Sequence, residues 1–99
     1  MLSKEKIFQL IREHKDQLSK YGVKHIGLFG SFAKDNNTYE SDVDLLVEFD
    51  KGKKSFDNYM DLKFYLEDLF DRDVDLVIKG SVKKGLKSRV LGTVEYTMY

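Results

Sequence analysis

Apolar residues recur at helical spacing near the start of the chain. Ile7, Leu10, Ile11 and Leu18 fall on one stripe with His14, which predicts an amphipathic helix from Ser3 to about Lys20. Ser3 offers an N-cap hydroxyl and Gly22 follows the end. The stretch "HIGLF", His25 to Phe29, reads as a short buried strand. A tight turn at Gly30-Ser31 then leads into a short helix over roughly Phe32 to Asn36. In "DVDLLVEF" the period becomes two. Val43, Leu45, Val47 and Phe49 point one way, and Asp42, Asp44, Leu46 and Glu48 the other. From Ser55 to about Phe70 the helical period returns, with Phe56, Tyr59, Met60, Leu62, Leu66, Leu69 and Phe70 as the apolar set. "VDLVI", Val74 to Ile78, is a third strand, and Ser81 to about Met98 reads as a last helix weakened by Gly85 and Gly92.

This alternation predicts an α/β fold of two layers (α+β), with a small mixed sheet of about three strands packed against helices. A helix lies between the second and third strands. A right-handed crossover would place those two strands parallel and close together.

Composition narrows the classes. The 99 residues fit a single domain spanning 1–99, and no proline-rich linker, repeat or low-complexity tract divides them. Lys plus Arg and Asp plus Glu are both 17, so the basic excess of a general nucleic-acid binder is absent. With no cysteine, thiolate metal sites and cysteine nucleophiles are excluded. No apolar run approaches the roughly 18 residues of a membrane span, and the N-terminus does not read as a signal peptide. The expectation is a soluble cytoplasmic protein.

The unusual feature is a strand that opens with two carboxylates. Residues i and i+2 of a strand lie about 6.6 Å apart on one face, so Asp42 and Asp44 project side by side. Such a pair is repulsive unless something positive lies between. If the third strand is a neighbour, Asp75 joins them. Three carboxylates make a hard-oxygen site for Mg²⁺, and could hold two ions about 3.5–4 Å apart, as in two-metal phosphoryl chemistry. Gly30 lets the backbone approach a ligand closely, the N–H groups after it favour an anion, and Ser31 adds a hydroxyl. A triphosphate could lie between this turn and the metals. The stretch is not a P-loop, because no Gly-Lys-Ser/Thr ends it.

"GSFAKDNNTYESDVDLLVEF" resembles the signature of the DNA polymerase beta-type nucleotidyltransferase superfamily: Gly-Ser, a short spacer, Asp-x-Asp in a strand, and a third Asp on a later strand. Within it the chain looks most like the minimal nucleotidyltransferases, which share "FGS-x-A", Ser-Asp-x-Asp-Leu-x-Val and "VDLV". The resemblance runs from about Val23 to Tyr96. It implies that Gly30 and Ser31 hold the nucleotide phosphates. It implies that Asp42 and Asp44 ligate both Mg²⁺ ions, while Asp75 ligates the catalytic one and helps deprotonate the attacking hydroxyl. It further implies transfer of AMP from ATP to a tyrosine of a HEPN-domain ribonuclease toxin, with this chain as antitoxin in a hetero-oligomer. A chain this short has no room for an acceptor-holding domain, which points to a macromolecular acceptor. Many relatives carry Arg where this chain has Phe32, and Gly where it has Asp35 and Asp71.

Each part alone has a plain reading. Asp-x-Asp can be a solvated strand edge, Gly-Ser an ordinary turn, and Asp75 a surface residue beside Asp73. The basic run holding Lys79, Lys83, Lys84, Lys87 and Arg89 reads first as a solvated face, with Arg89 the one candidate phosphate ligand. His14 and His25 lack metal-ligand spacing and read as structural. Two other functions stay open: an antitoxin that neutralises its partner by contact alone, and a small-molecule nucleotidyltransferase of the antibiotic-modifying kind.

Overall fold

The structure is a computed structural model that describes residues 2–80 and 94–96. Its first helical stretch is broken. Helix α1 spans Lys4–Glu13 and α2 spans Lys15–Lys20, with His14 between them. The uninterrupted helix expected from the spacing is interrupted because the His14 ring competes for a helix carbonyl. Nδ1 donates to the carbonyl of Leu10 at 2.7 Å, beside the backbone N–H of the same residue at 3.1 Å. A side chain inserted in the ladder is a known cause of such breaks. Both helices still bury one stripe, Ile7, Ile11 and Leu18, and the Ser3 hydroxyl caps α1 by accepting from the N–H of Lys6.

Strand β1, Val23–Phe29, leads into the single-turn helix α3, Gly30–Ala33. Strand β2 is Val43–Phe49, α4 is Phe56–Phe70, and β3 is Val74–Ile78. A fourth strand, β4, covers only Glu95–Tyr96. The sheet order is β3-β2-β1-β4. β2 runs antiparallel to β1 and parallel to β3, and β4 is antiparallel to β1. The mixed sheet is therefore the three expected strands plus one short addition. The last helix predicted over Ser81–Met98 gives way at Glu95–Tyr96 to strand; its other residues, Val94 excepted, lie outside the described ones, as do Lys83, Lys84, Lys87 and Arg89.

Alternation divides the sheet into two faces. Val43, Leu45 and Val47 of β2 sit level with Val74, Leu76 and Ile78 of β3, and Leu45 and Val47 also face Leu28 and Ile26 of β1. This face packs on α1, α2 and α4 through Ile7, Ile11, Leu18, Leu62, Leu66 and Phe70 to make the core. Burying each such side chain fully is worth about 1.5–3 kcal/mol relative to exposure. Phe56, placed in the apolar set of α4 by its spacing, is 76% exposed. The opposite face of the sheet carries Asp44 level with Asp75, and next to that pair Leu46 level with Val77.

Candidate active site

The end of β1, the start of β2 and β3 meet at one edge of the acidic face. Asp44 is the register partner of Phe29 on β1 and of Asp75 on β3. It is thus the central residue of the group, with Asp42 two positions before it; Asp42, expected inside the strand, lies in the segment just ahead of β2, which begins at Val43. Val43 N–H donates to the carbonyl of Asp73 at 3.0 Å, which fixes how the two acid-bearing segments start together.

Gly30 completes the arrangement. Its φ is +73°, in the left-handed region, and a β-carbon there would run into the carboxylate of Asp44. The turn after β1 therefore closes on Asp44 with only a hydrogen's clearance. Gly30 and Ser31 lie in the first turn of α3, two residues earlier than the helix start expected from sequence. Only four residues long, α3 ends in a Schellman arrangement: Asn36 N–H donates to the Ser31 carbonyl at 3.0 Å, and Asp35 N–H to that of Phe32 at 3.3 Å. Asp35 takes the left-handed position with φ +58°. Asp71 does the same at the end of α4. Asp35 and Asp71 thus both stand where helices stop.

The electrostatics follow from the packing. Asp42 and Asp75 are exposed, whereas Asp44 is half-buried. Burial, then the charge of Asp75, then that of Asp42 push the Asp44 carboxyl up from 3.8 to about 6. Among the described residues, no three acidic or imidazole side chains stand close enough to enclose a metal ion. Mutual repulsion spreads such a set, and a cation is what would draw it together. The donors themselves fit Mg²⁺: carboxylate oxygens of Asp44 and Asp75 on neighbouring strands and of Asp42 just ahead of one, beside the glycine cradle at Gly30. Ser31 is partly exposed next to that cradle.

Two residues that the sequence reading singled out stand apart from the site. His14 serves the α1–α2 junction, and Lys79 pairs with Glu48 at 3.8 Å. One residue was missed. Arg72 lies between two aspartates in "DRDVD" and carries no periodic signal. It lines a groove of about 420 Å³ with Asp42, Ser41 and acidic residues of the α4 end.

A mixed sheet with facing carboxylates on parallel neighbours, and a glycine turn pressed on the central one, defines a class of enzyme. Residues 11–97 match the family described as Nucleotidyltransferase domain, and the chain belongs to that family of nucleotidyl-transferring enzymes. Within it, the chain is 40% identical over 97 residues to "Protein adenylyltransferase MntA" of Thermococcus cleftensis, covering 97% of both chains. A solved structure with the provisional name minimal nucleotidyltransferase superposes with a TM-score of 0.80 at 26% identity, covering 95% of each chain. A crystal structure of a toxin–antitoxin with AMP-PNP matches at 26% identity and a TM-score of 0.68, over 96% of this chain and 72% of that one.

Proposed function

We propose that residues 1–99 work as one domain that transfers AMP from ATP to a tyrosine hydroxyl of a HEPN-domain ribonuclease toxin, as its antitoxin in the cytoplasm. Asp42, Asp44 and Asp75 would hold Mg²⁺, two ions at full occupancy. The observation that carries the reading is the level pairing of Asp44 with Asp75 on parallel strands, with the Gly30 turn closed on Asp44. The protein adenylyltransferase name of the archaeal relative and the AMP-PNP toxin–antitoxin neighbour support the substrate and the partner.

The N–H groups of the Gly30 turn and the Ser31 hydroxyl orient the triphosphate with its α-phosphorus toward the carboxylates. The tyrosine oxygen attacks that phosphorus in line, the bond to the bridging oxygen breaks, and pyrophosphate leaves. An Asp75 carboxylate oxygen takes the hydroxyl proton. Mg²⁺ held by Asp42, Asp44 and Asp75 would supply charge neutralisation to the phosphoryl group being transferred. The exposure of Asp75 and Asp42 suits an acceptor that arrives from solvent on another protein.

The test is ATP labelled on the α-phosphate, added with Mg²⁺ to the purified protein and a lysate of its source cells. A labelled band lost with the Asp42→Asn/Asp44→Asn double variant supports transfer and gives the acceptor's mass. A partner that co-purifies without acquiring label overturns the catalytic reading in favour of neutralisation by contact.

A further inference from the structure

Arg72 touches all three segments that build the site. Its Nη1 donates to the carbonyl of Ser41 at 3.2 Å and to that of Thr38 at 3.4 Å. Its Cζ lies 5.6 Å from the centre of the Phe32 ring, within cation–π range. Two of these contacts fall one residue from a site group: Ser41 precedes Asp42, and Phe32 follows Ser31. Arg72 itself opens the short run that reaches Asp75.

The segment between α3 and β2 needs such an anchor. Thr38 to Ser41 is closed on itself, by Thr38 N–H to Ser41 Oγ at 2.8 Å and Ser41 N–H to the Thr38 carbonyl at 3.2 Å. Arg72 ties this closed turn to the body of the protein. Phe32 is fully buried, so the ring that receives the guanidinium is itself held in place. Arg72 is fixed in turn. Its N–H donates to the Glu67 carbonyl at 3.3 Å, and Glu67 Oε2 accepts from Val74 N–H at 3.2 Å. A guanidinium serves here better than a lysine, because one planar group donates through Nη1 to two carbonyls while presenting a flat face to the ring.

We propose that Arg72 is a positioning residue for nucleotidyl transfer, holding the Thr38–Ser41 turn, and through it Asp42, in place against β3 and α3. Its activity arm rests on the metal-dependent transfer reading; its structural arm does not. The variant Arg72→Met keeps the apolar stem and removes the donors and the charge, while Arg72→Lys keeps the charge and N–H donors but not the flat guanidinium face. Three readouts are taken well below the melting temperature: amide hydrogen exchange, Mn²⁺ binding by calorimetry, and transfer kinetics. In Arg72→Met the amides of Thr38, Ser41 and Val43 are expected to exchange faster while those of β1 do not. The Mn²⁺ dissociation constant should rise about tenfold, the scale for losing a group that orients a ligand. Turnover should fall more than KM for ATP rises, and Arg72→Lys should recover part of it. A merely stabilising residue would lower the melting temperature and leave local exchange, Mn²⁺ affinity and turnover alone; that result overturns the proposal. If the parent protein binds no Mn²⁺, the metal site falls, and exchange at Thr38, Ser41 and Val43 still decides the role of Arg72. If Arg72→Met does not fold, Arg72→Lys takes its place in each comparison, where unchanged exchange and binding overturn the proposal.

Discussion

Asp44 stands near the start of β2, half-buried, level with Asp75 on β3 and two positions after Asp42. Its carboxyl is raised to about 6 in the folded protein, against an ordinary 3.8 in an open chain. Between those two values the folded state holds a proton that the unfolded state has released. Stability without divalent cations should therefore fall as pH rises from about 4 to about 6, then level off. Melting curves in EDTA across that range check this, and Asp44→Asn should flatten the dependence and raise the melting temperature at pH 7. A steeper dependence in the variant would refute it. The same substitution should cut transfer by more than about a hundredfold, since removing even a group that supports a metal ligand costs 10–100-fold. Gly30→Ala should also lose transfer, by driving a methyl group into the Asp44 carboxylate. Its folding cost should be at least about 1–2 kcal/mol, the strain of a left-handed backbone with a β-carbon before the clash with Asp44 is added; intact turnover would show that the turn need not approach Asp44. The level placement of Asp44 and Asp75 was legible because both fall in strand-like runs of period two and the helix between those runs favoured parallel neighbours. Arg72 was not, because its partners lie some thirty residues away and no local pattern announces them.

At the scale of elements, the boundaries went astray where side chains compete with backbone. The apolar stripe of the first helix is continuous in sequence, yet His14 takes the Leu10 carbonyl and splits it. The start of α3 shifted because Gly30 enters the helix turn itself. Helix ends carry the next prediction. Asp71 closes α4 at φ 52°, and Asp35 closes α3 at φ 58°. Both are short polar residues that tolerate the left-handed region, though less well than glycine. Asp71→Gly should raise stability by up to about 1 kcal/mol, net of the added freedom of the unfolded chain. Asp35→Gly should gain slightly less, because the exposed contact with Lys4 at 3.8 Å is lost. Urea unfolding reads both, and a loss of stability in either variant would contradict the cap account.

At the scale of the molecule, the expected sheet and its parallel β2–β3 pair were readable from the order of elements. The two-residue strand β4 was not, since so short a stretch carries no period. On the proposed function, the exposure of Asp42 and Asp75 has a consequence for the acceptor. Much of the binding energy must come from surfaces away from the reacting hydroxyl. Free tyrosine or a short tyrosine peptide should therefore be modified at least about a hundredfold less efficiently, in kcat/KM, than the folded partner, a gap of about 2.7 kcal/mol. Comparable rates for the two would remove the need for a protein acceptor.

The parallel pairing of β2 with β3 also sets a timetable. Asp44 and Asp75 face each other only because α4 carries the chain back to begin β3 beside β2. A nascent chain that has emerged only as far as Phe70 already holds Gly30, Ser31, Asp42 and Asp44. It lacks the third carboxylate, and Arg72 has yet to arrive. On the proposed function, translation must pass β3 before AMP can be transferred, so a product terminated before β3 is expected to carry out no transfer whatever it retains of the fold.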